Sequence, residues 1–353
     1  MDQPEGFIVP GKGKFVCKLK RSLYGLQQSP RQRYKRFDSF MIAHGFKRSA
    51  YDSCVYIKFV DGSPIYLLLY VDDMLIAAKG KKEITTKAQL SSEFEMKDLG
   101  AAKKILGMEI TRDKNSSLLF LSQQSYIKKV LHHFNMHDAK SVSTPIAPHF
   151  KLSSSHCPSN DEEFEYMSRV PHSSVFGSLM YVMVCSRPGL SFAMSLISRY
   201  LHGTFPGTLE HWKAIQWIFR YLRGTSNACL KFGRTGEGLA GYVDSDFASS
   251  DLDKRRSLTG YVFTVGGCAV SWRATLQPVV AQSTTVAEYI AIAEACKESV
   301  WLKGLYDELC GDNSCINLFC DSQSAIYLTK DQMFNERMKY IDVKYHYFPD
   351  IVE

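Results

Sequence analysis

Two adjacent acids, Asp72 and Asp73, lie inside an otherwise apolar stretch at residues 64–78. At a separation of ~4 Å and an effective dielectric constant near ~20, two like charges repel each other by about 4 kcal/mol. A divalent cation would relieve this repulsion while holding phosphate oxygens. A solvent-exposed turn, whose geometry aspartate favours, explains the pair equally well. From these two residues alone, both explanations stay open.

A second set of acids is spread over the C-terminal part of the chain. Its members are Asp244, Glu288, Asp321 and Asp342. Acids at the ends of consecutive, packed elements can converge on one pocket, where their repulsion again favours a bound metal. Each also has a structural explanation, because Asp321 can cap the following helix and Glu288 can face a helix dipole from the first turn.

Local patterns predict the elements that would position these acids. β-branched and aliphatic residues around Asp72 predict a β-hairpin with the acids at its tip. From residue 238 onward the patterns predict the order βββαβα. The predicted elements are a strand at 239–247, a hairpin with arms YVFTV and CAVSW, a helix at about 284–309, a strand INLFC and a helix from Ser322.

The central part of the chain is predicted to be mainly helical. Helices are predicted at 83–94, 122–133, 175–185 and 209–222, and a strand at 106–111, from their apolar spacing. Residues 141–171 are rich in Ser and Pro with a short acidic run, which predicts a connecting loop.

The composition of the chain indicates which broad class of protein it belongs to. With 353 residues, 45% hydrophobic and 22% charged, the chain has the length and composition of a globular protein of about two or three domains. No apolar run reaches the ~18 residues of a membrane helix, and the N-terminus lacks a secretory h-region. The ten cysteines form no CxxC pair, which favours buried thiols over a structural metal.

Positive charge is concentrated near the N-terminus. The net charge is +7, and residues 11–36 hold nine basic residues and no acid, interleaved with Phe15, Tyr24 and Tyr34. This pattern suits phosphate contacts with stacking of bases on the aromatic rings. A solvated basic face is the alternative.

YVDD at residues 70–73 resembles the polymerase signature of reverse transcriptases. Further segments resemble copia-type LTR-retrotransposon Pol proteins: KRSLYGLQQSPRQRYKRF, DLGAAKKILGMEI, GSLMYVMVCSRPGLSFA and FRYLRGT. The first of these four segments implies contacts with a primer-template. The candidates for nucleic-acid contacts are Lys18, Lys20, Arg21, Tyr24, Gln27, Arg31 and Lys35.

GYVDSDFAS, VAEYIAIAEACKESVWL, CDSQSAI and YIDVKYHYF resemble the RNase H domain of the same family. The resemblance implies that the second set of acids binds two Mg²⁺ ions, which activate water and stabilise the leaving 3′-oxygen. Asp246 competes with Asp244 as the first carboxylate. The substrate would be RNA in an RNA–DNA hybrid, whose 2′-hydroxyls lie across a wide minor groove. Ser245, Gln323 and Ser324 are the expected neighbours of the hybrid.

The resemblance also implies catalytic roles for Asp72 and Asp73 in polymerisation, with Asp72 binding metal. In the family a further aspartate precedes the QPEGF segment, with which this chain begins. We therefore expect the isolated chain not to polymerise DNA, because Asp72 lacks that partner.

Four positions depart from the family pattern. Asn335 and Tyr340 stand where histidine is common, Arg33 where tryptophan is usual and Gly189 where aspartate is usual. Histidine near such a site can move protons, so we expect slower turnover with metal binding retained.

The predicted fold class is α/β, in three domains. Residues 1–140 would form a partial reverse transcriptase palm without fingers or first catalytic strand, 141–235 a linker and helical thumb or connection, and 236–353 an RNase H-like domain truncated at its C-terminus. The predicted activity is two-metal cleavage of RNA in hybrids, and the alternative is a non-catalytic nucleic-acid-binding remnant. No address signal is visible, and the resemblance implies a cytoplasmic location, with a particle or the nucleus as alternatives. The lack of a long apolar run predicts no membrane partner.

Overall fold

The computed structural model describes residues 2–8, 10–11, 13–20, 23, 25–80, 82–150, 152, 161–199, 209–233, 238–247, 255–311 and 315–330. Helices and strands are mixed along these ranges, in agreement with the predicted α/β class. The chain divides into two compact units, Met1–Gly100 and Ala101–Glu353. The three-domain division stays a prediction.

The first unit is a four-stranded antiparallel sheet with two helices. Its elements are α1 (Ser29–Ala43), β1 (Lys47–Arg48), β2 (Val55–Val60), β3 (Ser63–Tyr70), β4 (Asp73–Ala78) and α2 (Lys82–Glu93). The strands lie in the order β1-β2-β3-β4. Phe37 and Met41, one helical turn apart on α1, pack on Tyr56 and Leu67 of the sheet and on Leu90 of α2.

The predicted hairpin is confirmed, and it ends in a tight turn. Tyr70 of β3 pairs with Asp73 of β4, so only Val71 and Asp72 form the connection. Val71 has a φ of 52°, a left-handed conformation that is unusual for a β-branched residue. Glycine is the usual residue where a two-residue hairpin turn needs positive φ. The strained backbone of Val71 therefore precedes Asp72, which lies at the exposed tip of the turn.

The second unit begins with a small sheet and a helical layer. Its first elements are β5 (Lys104–Ile105), β6 (Met108–Asp113), β7 (Leu118–Ser122), α3 (Gln124–His133), α4 (Asp161–Ser168), α5 (His172–Ser186), a 3₁₀ turn (Pro188–Leu190), α6 (Ser191–Ser198), α7 (Leu209–Gly224) and β8 (Leu230–Phe232). The sheet has the order β5-β6-β7-β8. The helices share one apolar core around Ile127, Leu179, Ile197 and Phe219.

Two expectations for this region need correction, and two further elements were not predicted. The predicted loop at 141–171 contains α4, whose acids lie in its first turn, where they favour a helix through the backbone dipole. The strand β7 and the helix α6 were not predicted, because each is too short to show a clear period. Ser122 belongs to β7, so the predicted helix at 122–133 begins later, at Gln124.

The last elements follow the predicted order βββαβα within the described residues. They are β9 (Leu239–Asp246), β10 (Leu258–Val265), β11 (Cys268–Leu276), α8 (Thr284–Cys310), β12 (Asn317–Phe319) and α9 (Gln323–Lys330). The sheet order is β11-β10-β9-β12, with β9 antiparallel to β10 and parallel to β12. The central strand β9 is therefore flanked on both sides.

The helix α8 is bounded by clear signals and covers one sheet face. Ser283 accepts a hydrogen bond from the backbone N–H of Val286 at its start, and Gly311 ends it in the left-handed conformation. Ala287 and Ile290 of α8 share a buried cluster with Val243 and Phe263 of the sheet. Among the described residues, no helix is both long and apolar enough to cross a bilayer.

Gly241 lets β9 pack closely between its neighbours, and Gly241→Ala should destabilise the fold. A Cβ at this position would lie 2.5 Å from a ring atom of Phe263 and 2.7 Å from a methyl group of Leu318. Because Phe263 is fully buried, we expect a loss of about 1–3 kcal/mol, the usual cost of overpacking. Urea unfolding would measure it.

Gly260→Ala is the matched control, because the nearest atom to a Cβ there is the backbone oxygen of Asp244 at 3.9 Å. We expect its free energy of unfolding to stay within about 1 kcal/mol of the parent. Equal effects of the two substitutions would contradict the packing argument.

Candidate functional site

Strand register brings two of the predicted acids to the same edge of the sheet. β12 runs parallel to β9, with Phe319 opposite Tyr242. Asp321 and Asp244 each follow two residues later, so both lie where the paired strands end. Both are exposed to solvent. This edge is therefore open to a ligand.

Glu288, in the first turns of α8, reaches the same edge from the helix layer. The backbone N–H of Ser245 donates both to Oδ1 of Asp244, at 2.9 Å, and to Oε1 of Glu288, at 3.1 Å. One donor thus holds two carboxylates. An oxygen of Glu288 also lies within 4.8 Å of an oxygen of Asp321 and of Sγ of Cys320. The structure therefore brings Asp244, Glu288 and Asp321 together.

The charge at this cluster is poorly compensated. Glu288 is only 8% exposed. Its burial first, and then the charges of Asp244 and Asp321, raise its pKa from 4.5 to about 7, against the opposing hydrogen bond from Ser245. Near neutral pH the folded chain therefore keeps a proton on Glu288 about half of the time.

The donor set fits a hard divalent cation. Carboxylate oxygens are the ligands that Mg²⁺ prefers, and the raised pKa of Glu288 marks negative charge that a cation would neutralise. The thiol of Cys320 donates to Oε2 of Glu288 at 3.8 Å, and burial raises the pKa of this thiol. Cys320 therefore acts as a weak donor to the Glu288 carboxylate, and the carboxylate oxygens of the cluster remain available to a cation.

Gln277, which the sequence did not single out, fixes the surroundings of the acids. Its side chain is 1% exposed. Its Nε2 donates to the carbonyl of Ala287 at 2.9 Å, to Oγ1 of Thr259 at 3.1 Å and to Oγ of Ser245 at 3.4 Å. These partners lie on α8, β10 and β9. Ala287 is next in sequence to Glu288, and Ser245 is next in sequence to Asp244. A lone Gln before Pro278 gives no periodic signal that could have revealed this role.

Of the two other candidate members of the cluster, the structure describes one. Asp342 lies outside the described residues. Asp246 lies on β9 two residues after Asp244 and is exposed on the same strand face, so the structure leaves it as the competing first carboxylate.

The YVDD hairpin presents its acids differently. Asp72 and Asp73 are exposed, and the guanidinium of Arg33 forms an ion pair with the Asp72 carboxylate. Within the described ranges, no cluster of three potential metal ligands includes either aspartate. A cation from the protein itself therefore balances Asp72, and both partners are more than half exposed, which keeps the pair weak.

The structure describes five of the seven residues that were predicted to contact nucleic acid. Lys18, Lys20, Gln27, Arg31 and Lys35 are exposed in the first unit. Arg21 and Tyr24 lie outside the described residues. Arg36, from the same basic segment, pairs with Glu93 at 2.7 Å. The exposed members leave basic surface for phosphates.

The residues expected beside a hybrid lie near the cluster in sequence and in the fold. Gln323 and Ser324 are exposed at the start of α9, just after Asp321. Ser245 is half-buried and receives the Gln277 hydrogen bond described above. Their contact with nucleic acid stays a prediction.

Comparison with known proteins gives a consistent result. Residues 1–148 match the family described as reverse transcriptase (RNA-dependent DNA polymerase). The whole chain is 52% identical to the retrovirus-related Pol polyprotein from transposon TNT 1-94 of Nicotiana tabacum, covering 26% of that protein. It is 36% identical to the Pol polyprotein from transposon RE1 of Arabidopsis thaliana, covering 23% of it. The chain thus spans about a quarter of these two relatives.

A shorter relative is matched almost completely. The transposon Ty5-1 protein of Saccharomyces cerevisiae is 32% identical over 84% of this chain and 94% of its own length.

Replacement of Glu288 by Gln should stabilise the metal-free protein at high pH. Because the folded-state pKa of about 7 lies above the ordinary 4.5, Glu288 contributes stability below about pH 4.5 that is lost as pH rises through 7. Gln stays neutral, so Glu288→Gln should gain up to about 3 kcal/mol above pH 7, at about 1.4 kcal/mol per pKa unit. Thermal melts in EDTA at pH 5 and pH 8 measure this difference.

Glu294→Gln, on the same helix, is the control because the Glu294 carboxylate pairs with Lys297 at 2.8 Å. It should be slightly less stable than the parent at both pH values. A Glu288→Gln variant no more stable than the parent at pH 8 would show that burial and the neighbouring acids do not raise the pKa of Glu288 in the folded chain.

Proposed function

Since the chain belongs to the family of copia-type LTR-retrotransposon Pol polyproteins, we propose that its C-terminal acids form a ribonuclease H site. The proposed reaction is divalent-metal-dependent cleavage of the RNA strand in an RNA–DNA hybrid. The observation that carries this proposal is the meeting of Asp244, Glu288 and Asp321 at one open edge of the sheet. The order βββαβα and the resemblance of the segments around these acids support the same assignment.

Each acid has a part in holding the cations. Asp244 and Asp321 offer carboxylate oxygens at the exposed edge, and Glu288 offers one from the interior. Asp342 is assigned as a fourth ligand by the family resemblance alone. Two Mg²⁺ ions, when bound, supply a water of lowered pKa and neutralise charge on the leaving 3′-oxygen.

The surrounding residues keep the carboxylates in place. The Ser245 N–H turns one oxygen of Asp244 and one of Glu288 toward the same point. The buried amide of Gln277 holds Ser245 and the backbone before Glu288. Preorganisation of this kind avoids a reorganisation cost when substrate binds.

The substrate class follows from charge and position. A hybrid backbone is a polyanion, and the sites that we assign to it are the exposed basic residues Lys18, Lys20, Arg31 and Lys35 together with Gln27. Arg21 and Tyr24 join them by family resemblance. Near the acids, Gln323 and Ser324 are assigned as neighbours of the RNA strand, where 2′-hydroxyls would distinguish RNA from DNA.

We assign Asp72 and Asp73 to the polymerase-type site by the same resemblance. The exposed hairpin tip suits contact with a primer end, and Asp72 would exchange Arg33 for a metal ion. This exchange has a small cost, because ion pairs between exposed side chains contribute only ~0–1 kcal/mol.

Asp321→Asn should abolish cleavage and leave hybrid binding nearly unchanged. The substitution removes a metal-binding charge, whereas phosphate contacts come mainly from basic residues far from Asp321 in sequence. We expect at least about 100-fold slower cleavage, in line with losses of metal-site ligands and their close support. A gel assay with a labelled RNA–DNA hybrid, in Mg²⁺ or in EDTA, measures the rate, and anisotropy measures binding.

Asp61→Asn serves as the control, because Asp61 lies in the β2–β3 turn with φ of 47°, a conformation that Asn also tolerates. It should cleave as the parent does. Parent protein that binds hybrid in a salt-dependent manner but cleaves none would refute the nuclease and favour a binding remnant.

A further inference from the structure

A cavity of about 550 Å³ lies on the second unit, away from the cluster of acids in sequence. Its wall includes the rings of His149, Phe150 and Trp217 and the cationic side chains of Lys213 and Arg220. Its size is within the usual range of ligand pockets, ~300–1,000 Å³. Aromatic rings beside cations form the combination that binds nucleotides, since bases stack and phosphates pair with positive charge.

This wall arises from the outward face of α7. The inward face of this amphipathic helix buries Trp212, Ile215 and Phe219 in the helical core. Lys213, Trp217 and Arg220 follow at spacings of four and three residues, which places them on one face. Trp217 and Arg220 are half-buried and Lys213 is exposed. The α7 side chains that line the cavity therefore lie outside the apolar core.

The cavity side chains are held in fixed positions before any ligand arrives. The indole N–H of Trp217 donates to the carbonyl of Thr144 at 2.9 Å, and Nε of Arg220 donates to that of Lys140 at 2.7 Å. The guanidinium of Arg220 lies 4.7 Å from the centre of the Trp217 ring. His149 and Phe150 meet the same ring edge-on, with centroids 5.6 and 5.8 Å away. Fixed groups lose little entropy when they bind.

The charge along this surface favours an anion. Arg223, one turn beyond Arg220, is tied to the carbonyls of His137 and Ala139 at 2.7 Å and extends the positive charge past the cavity. Glu210 is the one acid in the described cavity wall, against the cations Lys213 and Arg220. A strand whose phosphates follow α7 would meet several positive charges in a row.

We propose that this cavity binds single-stranded nucleic acid, with a base against Trp217 and adjacent phosphates on Arg220 and Lys213. The inference deepens the proposed function and rests on it, because it adds a contact with an unpaired part of the nucleic acid that the chain handles. The ligand is defined by an unpaired base, since a base inside a duplex is already stacked on both faces and cannot present one to Trp217.

Binding of two fluorescent probes tests this proposal. One is an oligothymidylate of about 12 nucleotides, within the ~4–16 nucleotides of typical single-strand sites. The other has the same backbone with abasic sites, so it keeps the phosphates and lacks the bases. The full chain should bind the first probe more tightly. Trp217→Ala should weaken its binding by about 5- to 100-fold, the usual effect of losing base stacking, and leave the abasic probe unaffected.

Further variants separate stacking from folding. Trp217→Phe should keep most of the affinity, because a ring remains for the base. Trp301→Ala, at an exposed tryptophan of α8 that is 40% accessible, is the matched control and should bind as the parent does. Arg220→Gln should lower the slope of log affinity against log salt by about 0.7, the value for one phosphate of a single strand.

The outcomes distinguish this proposal from the nuclease. Parent protein that binds both probes equally, or a Trp217→Ala variant that still prefers the thymidine probe, would overturn the cavity assignment whatever the cleavage assay shows. Parent protein that cleaves no hybrid but keeps the Trp217-dependent preference would mean that only the nuclease assignment has failed.

Discussion

Mutual repulsion of carboxylates at the end of β9 is the constraint that the C-terminal sheet has to satisfy. Asp244 and Asp321 reach this edge because β9 and β12 run parallel in register, and Glu288 reaches it from α8. The pKa of Glu288 is raised to about 7, first by its burial and then by the charges of Asp244 and Asp321. The apolar packing of α8 on the sheet, with Ala287 buried beside Glu288, helps to hold the acid there. A loss of stability of this kind is typical of functional sites.

The two acidic sites of the chain deal with their charge in opposite ways. At the hairpin tip Asp72 remains exposed, and Arg33 from α1 neutralises it. At the sheet edge the acids receive backbone and thiol donors, and no ion pair to them occurs among the described residues. A site balanced by its own cation needs no metal in order to fold. A site without one would gain stability from the metal ions proposed above, by mass action.

The sequence alone was sufficient to predict the structural features that depend on local residue patterns. The YVDD hairpin and the order βββαβα followed from alternation, turn residues and helix length, and Asp244, Glu288 and Asp321 were placed on their elements from the same signals. The site depended in addition on contacts between distant segments. No pattern in the sequence shows that Gln277 is buried beside Ala287, that Arg33 reaches Asp72, or that Trp217 borders a cavity. The acidic run of α4 was misread because acids favour both loops and first helical turns.

The amide of Gln277 has a consequence for how the chain acquires its site. It joins β9, β10 and α8 through single hydrogen bonds to each, so the full set of bonds is present only once all three elements have met. The contact between Gln277 and Ser245, which are 32 residues apart in sequence, requires closure of the longest of these loops and therefore arises late in folding. Slow amide hydrogen exchange at Ser245 and in the first turns of α8 would accompany the complete domain only. During synthesis, the ribosome would have to release α8 before the acids could meet.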